Sequence, residues 1–171
     1  MDKLRFVLRI IDKLSIFIGT AVSVLLPTLC LVLTFDVVSR YVFHRPTIWA
    51  FDMAIFMFGY CGLLGGAYVL KEKEHISVDL FYGRLSLRGK AVLDVITGLL
   101  FFFFIILVIV YGWKAAYSAL SFGDHRNTEW APPLGHFKLM IPLGALLLLL
   151  QGLAHWIRSL YLVITGEELK T

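Results

Sequence analysis

Four apolar stretches separated by short charged segments set the pattern of this chain. Leu14–Phe35, Met53–Leu70 and Val95–Trp113 hold no Asp, Glu, Lys, Arg or His, and Leu139–Ile157 is interrupted only by His155. A helix needs roughly 20 apolar residues to cross a bilayer core, and each stretch is close to that length. Backbone groups in lipid must bond within their own segment, and runs such as Phe101–Val110 lack the alternation of a barrel strand. The pattern predicts an all-α membrane protein with amphipathic interfacial segments. Its four transmembrane helices fall at about residues 14–36, 52–70, 93–115 and 138–158, and residues 1–171 form a single integral membrane domain.

The segments between the runs carry their own signals. Leu4, Val7, Leu8, Ile11 and Leu14 recur at three- and four-residue spacing among Lys3, Arg5, Arg9, Asp12 and Lys13. This predicts an amphipathic helix lying at the membrane surface before the chain turns into the bilayer; a straight extension of the first span has the same signature. The first run is too long for a secretory h-region of about 7–15 residues and lacks a small-residue cleavage site, so it reads as a retained span. Pro27 predicts a bend within it. Asp36–Asp52 interleaves charges with aromatic and aliphatic residues, and Pro46 is expected to end a helix there. Arg40, Tyr41 and Trp49 suit an interface, and Asp52 sits at the start of the second span, where Arg40 and Asp52 can reach each other or lipid headgroups. Gly59, Gly62, Gly65 and Gly66 bare one side of that span for close approach by another span of the chain or by a partner subunit. Residues 71–94 hold the densest mixed charge and predict a short turn leading into an extension of the third helix.

Composition agrees with this reading and charge orients it. Hydrophobic residues make up 59% of the chain and mean hydropathy is +0.82, against about 45–50% apolar in soluble domains. Eleven Lys and Arg lie in the terminal segments and the second connector, and five in the other two connectors. Positive charge stays inside, which predicts both termini in the cytoplasm. The +4 net charge is then a signal of topology and of contact with membrane phospholipids, not of nucleic-acid binding. Cys30 and Cys61 lie in apolar runs without C-x-x-C spacing. No H-E-x-x-H, G-x-S-x-G, P-loop or dinucleotide pattern occurs, and the carboxylates Asp36, Asp52 and Asp94 lie at span ends. Neither an enzyme nor a cofactor is expected. The residues suggest a scaffold or accessory subunit, against two rivals. One is a membrane anchor of an oxidoreductase, supported only by His155; the other is a self-contained exporter that dimerises through the glycine face.

Several motifs also carry a family resemblance. Arg40-Tyr-Val-Phe43 with Pro46 and Trp49, Gly65-Gly-Ala-Tyr68, Lys73-Glu-His-Ile76 with Val78-Asp79, Glu129-Trp130 with Pro133, Pro142-Leu-Gly144, and Leu150-Gln-Gly152 with Arg158 follow in order. In this the chain resembles the small permease subunit of tripartite ATP-independent periplasmic (TRAP) transporters. Members often carry two acids shortly after the tryptophan, where this chain has Phe51 and Asp52. The resemblance implies a bacterial or archaeal inner-membrane scaffold bound to a large transmembrane permease subunit. That subunit carries an organic acid with sodium by an elevator-like motion, fed by a periplasmic substrate-binding protein. On this reading Arg40, Tyr41, Trp49, Asp52, Gly59, Gly62, Gly65, Gly66, His75, Asp79, Glu129 and Trp130 are interface or structural residues rather than substrate ligands.

Overall fold

The computed structural model describes residues 2–72 and 87–166. Its helices are α1 (Asp2–Ser23), α2 (Leu25–Tyr41), α3 (Ala50–Lys71), α4 (Leu87–Phe122) and α5 (Gly135–Thr165). Four helical stretches are long and apolar enough to cross a membrane: Arg5–Tyr41, Ala50–Lys71, Gly89–Phe122 and Gly135–Thr165. The fold is all-α, and no strand is present among the described residues.

The first stretch joins α1 to α2 through Val24, whose dihedral angles stay helical (φ −64°, ψ −22°), so the chain bends without turning. Pro27 explains the position. It lacks the N–H that would reach the Ser23 carbonyl, and its ring crowds that turn. Next to Pro27, Thr28 Oγ1 donates to the Val24 carbonyl at 2.9 Å, where its own N–H reaches only to 3.4 Å. The N-terminal segment is not a separate surface helix, because α1 continues unbroken through Lys13 and Leu14. Its inner face explains why: Leu8 is 1% exposed against Ala154, and Ser15 is 3% exposed beside Gln151, so α5 holds this segment on the axis of the span.

The spans form a row folded back on itself: helix α4 packs along α5, α5 packs on α3, and α3 packs against α1 and α2, while α1 also touches α5 directly. The seam between α4 and α5 is made of small residues. Ala91, Gly98, Ile105, Gly112 and Ala119 recur every seven positions along α4, which keeps one stripe facing its neighbour. Opposite them, Gly135, Pro142, Ala145, Gly152 and Ser159 are buried on α5. Phe101 fills the space over Gly152, and Trp156 fills that over Gly98. The buried apolar residues are mostly alanines, while Leu99, Leu100, Phe103 and Phe104 stay 59–70% exposed. Such outward apolar bulk fits a lipid or protein surround, where association rests on close packing of small residues.

Charged residues mark both edges of the row. Asp52 and Lys71 bracket α3, Asp94 and Lys114 bracket the apolar part of α4, and Lys138 and Arg158 bracket that of α5. Each pair is separated by about 20 residues, or roughly 30 Å of helix, which is the thickness of a hydrocarbon core. The first stretch, from Asp12 to Asp36, is longer than that core, a mismatch that spans accommodate by tilting or kinking. We call the edge at Asp52 distal and the edge at Asp12 proximal.

Candidate functional site

At the distal edge the corner between α2 and α3 is tied by its own polar groups. Asp36, 8% exposed, accepts hydrogen bonds from Thr47 Oγ1 and, at 3.4 Å, from the Thr47 N–H. Arg40 pairs with the same carboxylate at 2.8 Å, one helical turn away. These bonds draw the chain back onto α2, so α2 stops at Tyr41, well before Pro46, and reverses through His44 at φ 53°. Trp49 stacks on Phe35 with ring centroids 6.1 Å apart and closes the corner. Tyr41 is 72% exposed beside it.

Asp52 in the first turn of α3 is 1% exposed, where the helix dipole favours a carboxylate. Its partner is not Arg40. The ion pair is with Arg126, whose Nε lies 2.9 Å from Oδ1, and Thr128 Oγ1 donates to Oδ2. The Arg126 N–H does not aim along Oδ1, so the directed hydrogen bond is the one from Thr128. Both partners come from the loop between α4 and α5, which is pinned by Arg126 N–H to the Pro132 carbonyl (3.0 Å) and Leu134 N–H to the Asp124 carbonyl (2.8 Å). Lys138 pairs with Asp124 at 2.7 Å across its base. The Arg126 guanidinium also lies over the Phe51 ring, 5.7 Å from its centroid, so the same cation gains a cation–π contact. Glu129 and Trp130 sit in this loop, exposed, without a side-chain hydrogen bond or ion pair among the described residues.

A second clasp, absent from the sequence-based site, lies at the proximal edge. Gln151 is 1% exposed; its Nε2 donates to Asp12 Oδ1 at 3.0 Å, and its Oε1 accepts from Ser15 Oγ at 2.9 Å. Arg158 clamps Asp12 through Nη2 to Oδ2 at 2.6 Å and Nη1 to Oδ1 at 3.4 Å. Beyond α5, His155 Nε2 lies 3.7 Å from Asp94 Oδ2, and Ser159 Oγ lies 3.4 Å from it. The signals in the sequence were Gln151, a lone amide within an apolar run, and Arg158, which follows it in the motif Leu150-Gln-Gly152 with Arg158.

The glycines of α3 divide by position. A Cβ at Gly59 would collide with the Phe137 ring, and one at Gly66 would meet Leu148 at 3.5 Å, so both face α5. Gly62 and Gly65 have nothing within 4 Å and face outward. His75 and Asp79 lie outside the described residues. Between α2 and α3, Leu29, Leu33, Phe51, Ala54, Ile55 and Phe58 line a shallow groove with no polar surface, which offers nothing to orient an organic acid. No cluster of three or more His, Cys, Asp or Glu suited to a metal ion occurs among the described residues. His155 sits at the opposite edge from His44, His125 and His136, so it has no histidine partner for axial ligation among them.

Comparison with known proteins points in one direction. The sequence model for the DctQ component of tripartite ATP-independent periplasmic transporters matches residues 29–161. The sialic acid TRAP transporter permease protein SiaT of Haemophilus influenzae strain 86-028NP is 30% identical over 81 residues, 47% of this chain and 13% of that protein. The sialic acid TRAP transporter small permease protein SiaQ of Vibrio cholerae is 25% identical over 92 residues, 54% of this chain and 53% of that protein. A putative TRAP transporter small permease protein of Haemophilus influenzae strain Rd is 26% identical over 105 residues, 59% of this chain and 65% of that protein. The matched region therefore spans about half to two thirds of the two small permeases and a small part of the longer permease.

Proposed function

We propose, because the chain belongs to the DctQ component family of tripartite ATP-independent periplasmic transporters, that it is the static scaffold subunit of a sodium-driven transporter for organic acids. The family is a transporter component, not an enzyme. In this reading the chain sits in the inner membrane with both termini cytoplasmic. It braces a large permease subunit that moves substrate and ion together, and a periplasmic binding protein delivers the substrate. The sialic acid named for two relatives makes acidic sugars one class to test.

One observation carries the reading. The row of spans is clasped by buried polar groups at both edges, and between those edges the four runs hold no Asp, Glu, Lys, Arg or His except His155. Ion-coupled movement needs groups within the membrane, and these are retained there at a cost. A rigid slab without them supports motion elsewhere. The open backbone at Gly62 and Gly65 suits close approach by the large subunit.

The test is reconstitution in liposomes with and without this chain. Uptake is expected only when this chain, the large subunit and the binding protein are all present. Uptake by the large subunit without it, or by this chain alone, would overturn the scaffold role. Gly62→Leu is expected to accumulate normally yet lose co-purification with the large subunit, whereas Gly59→Leu, crowding Phe137, is expected to accumulate poorly. Topology is read separately: in a background lacking Cys30 and Cys61, an impermeant thiol reagent added outside is expected to label Ser121→Cys and to spare Ser86→Cys.

A further inference from the structure

Basic side chains at the proximal edge fall into two groups. Lys71 pairs with Glu72, and Arg158 pairs with Asp12. Arg5, Arg9 and Lys13 form no ion pair among the described residues, although they lie at i, i+4 and i+8 on one flank of α1. Like charges at that spacing repel and destabilise a helix. The Arg5 Nε is also shielded from solvent with no hydrogen-bond partner. Asp12, next to Lys13 in sequence, is taken up by Gln151 and Arg158.

The next face of the same helix is apolar and unpartnered: Phe6 is 65%, Ile10 50% and Phe17 72% exposed. The third face, Leu8 and Ser15, is buried on α5. Depth is fixed by the proximal clasp. Arg5 lies two helical turns before Asp12, about 10 Å of helix, which carries the flank through a headgroup layer that adds roughly 5–8 Å to each side of the core.

We infer that the Arg5–Arg9–Lys13 flank of α1 is a binding site for acidic phospholipid headgroups, with Phe6, Ile10 and Phe17 set among the adjoining acyl chains. Guanidinium and ammonium groups match phosphodiester oxygens. Three unpaired cations beside an apolar lane, at headgroup depth, fit a lipid surface better than an acidic protein segment, which would leave the lane uncovered. The leaflet is the cytoplasmic one and rests on the topology proposed above; the site does not.

The full chain is reconstituted in nanodiscs of mixed phosphatidylcholine and phosphatidylglycerol, and the retained lipid is counted by native mass spectrometry. The wild-type chain is expected to enrich phosphatidylglycerol over the bulk ratio. Each of Arg5→Gln, Arg9→Gln and Lys13→Gln is expected to lower that enrichment up to about fivefold, from the attraction of roughly one basic residue to an acidic surface. The variant R5K/R9K/K13R keeps the charge and is expected to keep the enrichment. Both leaflets of a nanodisc offer the same lipid and no large subunit is present, so neither the topology nor the scaffold role affects the result. No enrichment in the wild type, or equal enrichment in the triple glutamine variant, overturns the site. So does a triple glutamine variant that, in a separate co-purification, loses the large subunit while its nanodiscs retain the lipid, which would assign the flank to a protein partner.

Discussion

The two edges of the row are fastened in different ways. At the distal edge most ties are short in sequence: Asp36 to Arg40 is one helical turn, Asp36 to Thr47 spans 11 residues, and Asp124 to Lys138 spans 14. Only Asp52 reaches far, to Arg126 and Thr128 in another loop. At the proximal edge Asp12 reaches Gln151 and Arg158 across 139 and 146 residues, joining the first span to the last. The distal ties stitch successive spans at their corners. The proximal clasp instead ties α1 directly to α5, two helices far apart in sequence. The proposed scaffold role, which requires resistance to shear, would draw on both.

The largest effect is expected at Asp52. Removing a carboxylate that is 1% exposed leaves Arg126, 26% exposed, and Thr128 without their partner. Breaking a buried pair typically costs about 3–5 kcal/mol, and the partial exposure of Arg126 puts this site near the lower end, about 3 kcal/mol. Asp52→Ala is expected to lower the unfolding temperature of the purified chain sharply, and Asp52→Asn, which still accepts from Thr128, less so. Equal stability of Asp52→Ala and wild type in a detergent melt would reduce the distal clasp to a surface contact.

Asp12→Ala tests the proximal edge and is expected to come second. The lost bonds join Asp12, 18% exposed, to Arg158, 22% exposed, and to buried Gln151. A hydrogen bond to a charged group contributes about 1.5–3 kcal/mol, and water entering the vacated site offsets part of the sum, leaving a net loss of about 2 kcal/mol. The readout is local. Cysteines at Leu8 and Ala154, which pack together, are expected to cross-link efficiently in the parent and poorly after Asp12→Ala, while a melt shifts less than for Asp52→Ala. An unchanged cross-link would show that apolar packing, not the clasp, holds α1.

How much of this was legible in the sequence follows from the same contrast. The membrane class and the four spans are written in the charge punctuation, because lipid thickness fixes the spacing of the charges. The distal corner is partly legible: Arg40, Trp49 and Asp52 stand out because charges and large rings crowd into one short segment. Their pairing is not, since the loop that reaches Asp52 is shaped by backbone bonds and by Ala131 at φ 44°, which no periodicity encodes. Asp12 reads as the solvent face of an amphipathic helix because its partners lie at the far end of the chain. The heptad of small residues on α4 is present in the sequence but is overshadowed by the denser glycines of α3, of which two face outward.

The smallest effect belongs to Arg40, although it lies only 2.8 Å from Asp36. Half of its side chain is exposed, and pairs of that kind contribute about 0.3–0.5 kcal/mol at helical i, i+4 spacing. Thr47 still satisfies Asp36 when the guanidinium is removed. Arg40→Ala is therefore expected to leave the melt within about 0.5 kcal/mol of wild type, whereas Asp36→Ala, which frees Thr47 and undoes the reversal at His44, is expected to loosen the whole corner. Chymotrypsin separates the two: cleavage after Phe43, 67% exposed in the reversal, is expected to quicken in Asp36→Ala and to stay slow in Arg40→Ala. If Arg40→Ala alone opens the corner, the charge rather than the Thr47 hydrogen bonds holds it, and the distal edge is fastened by ion pairs throughout.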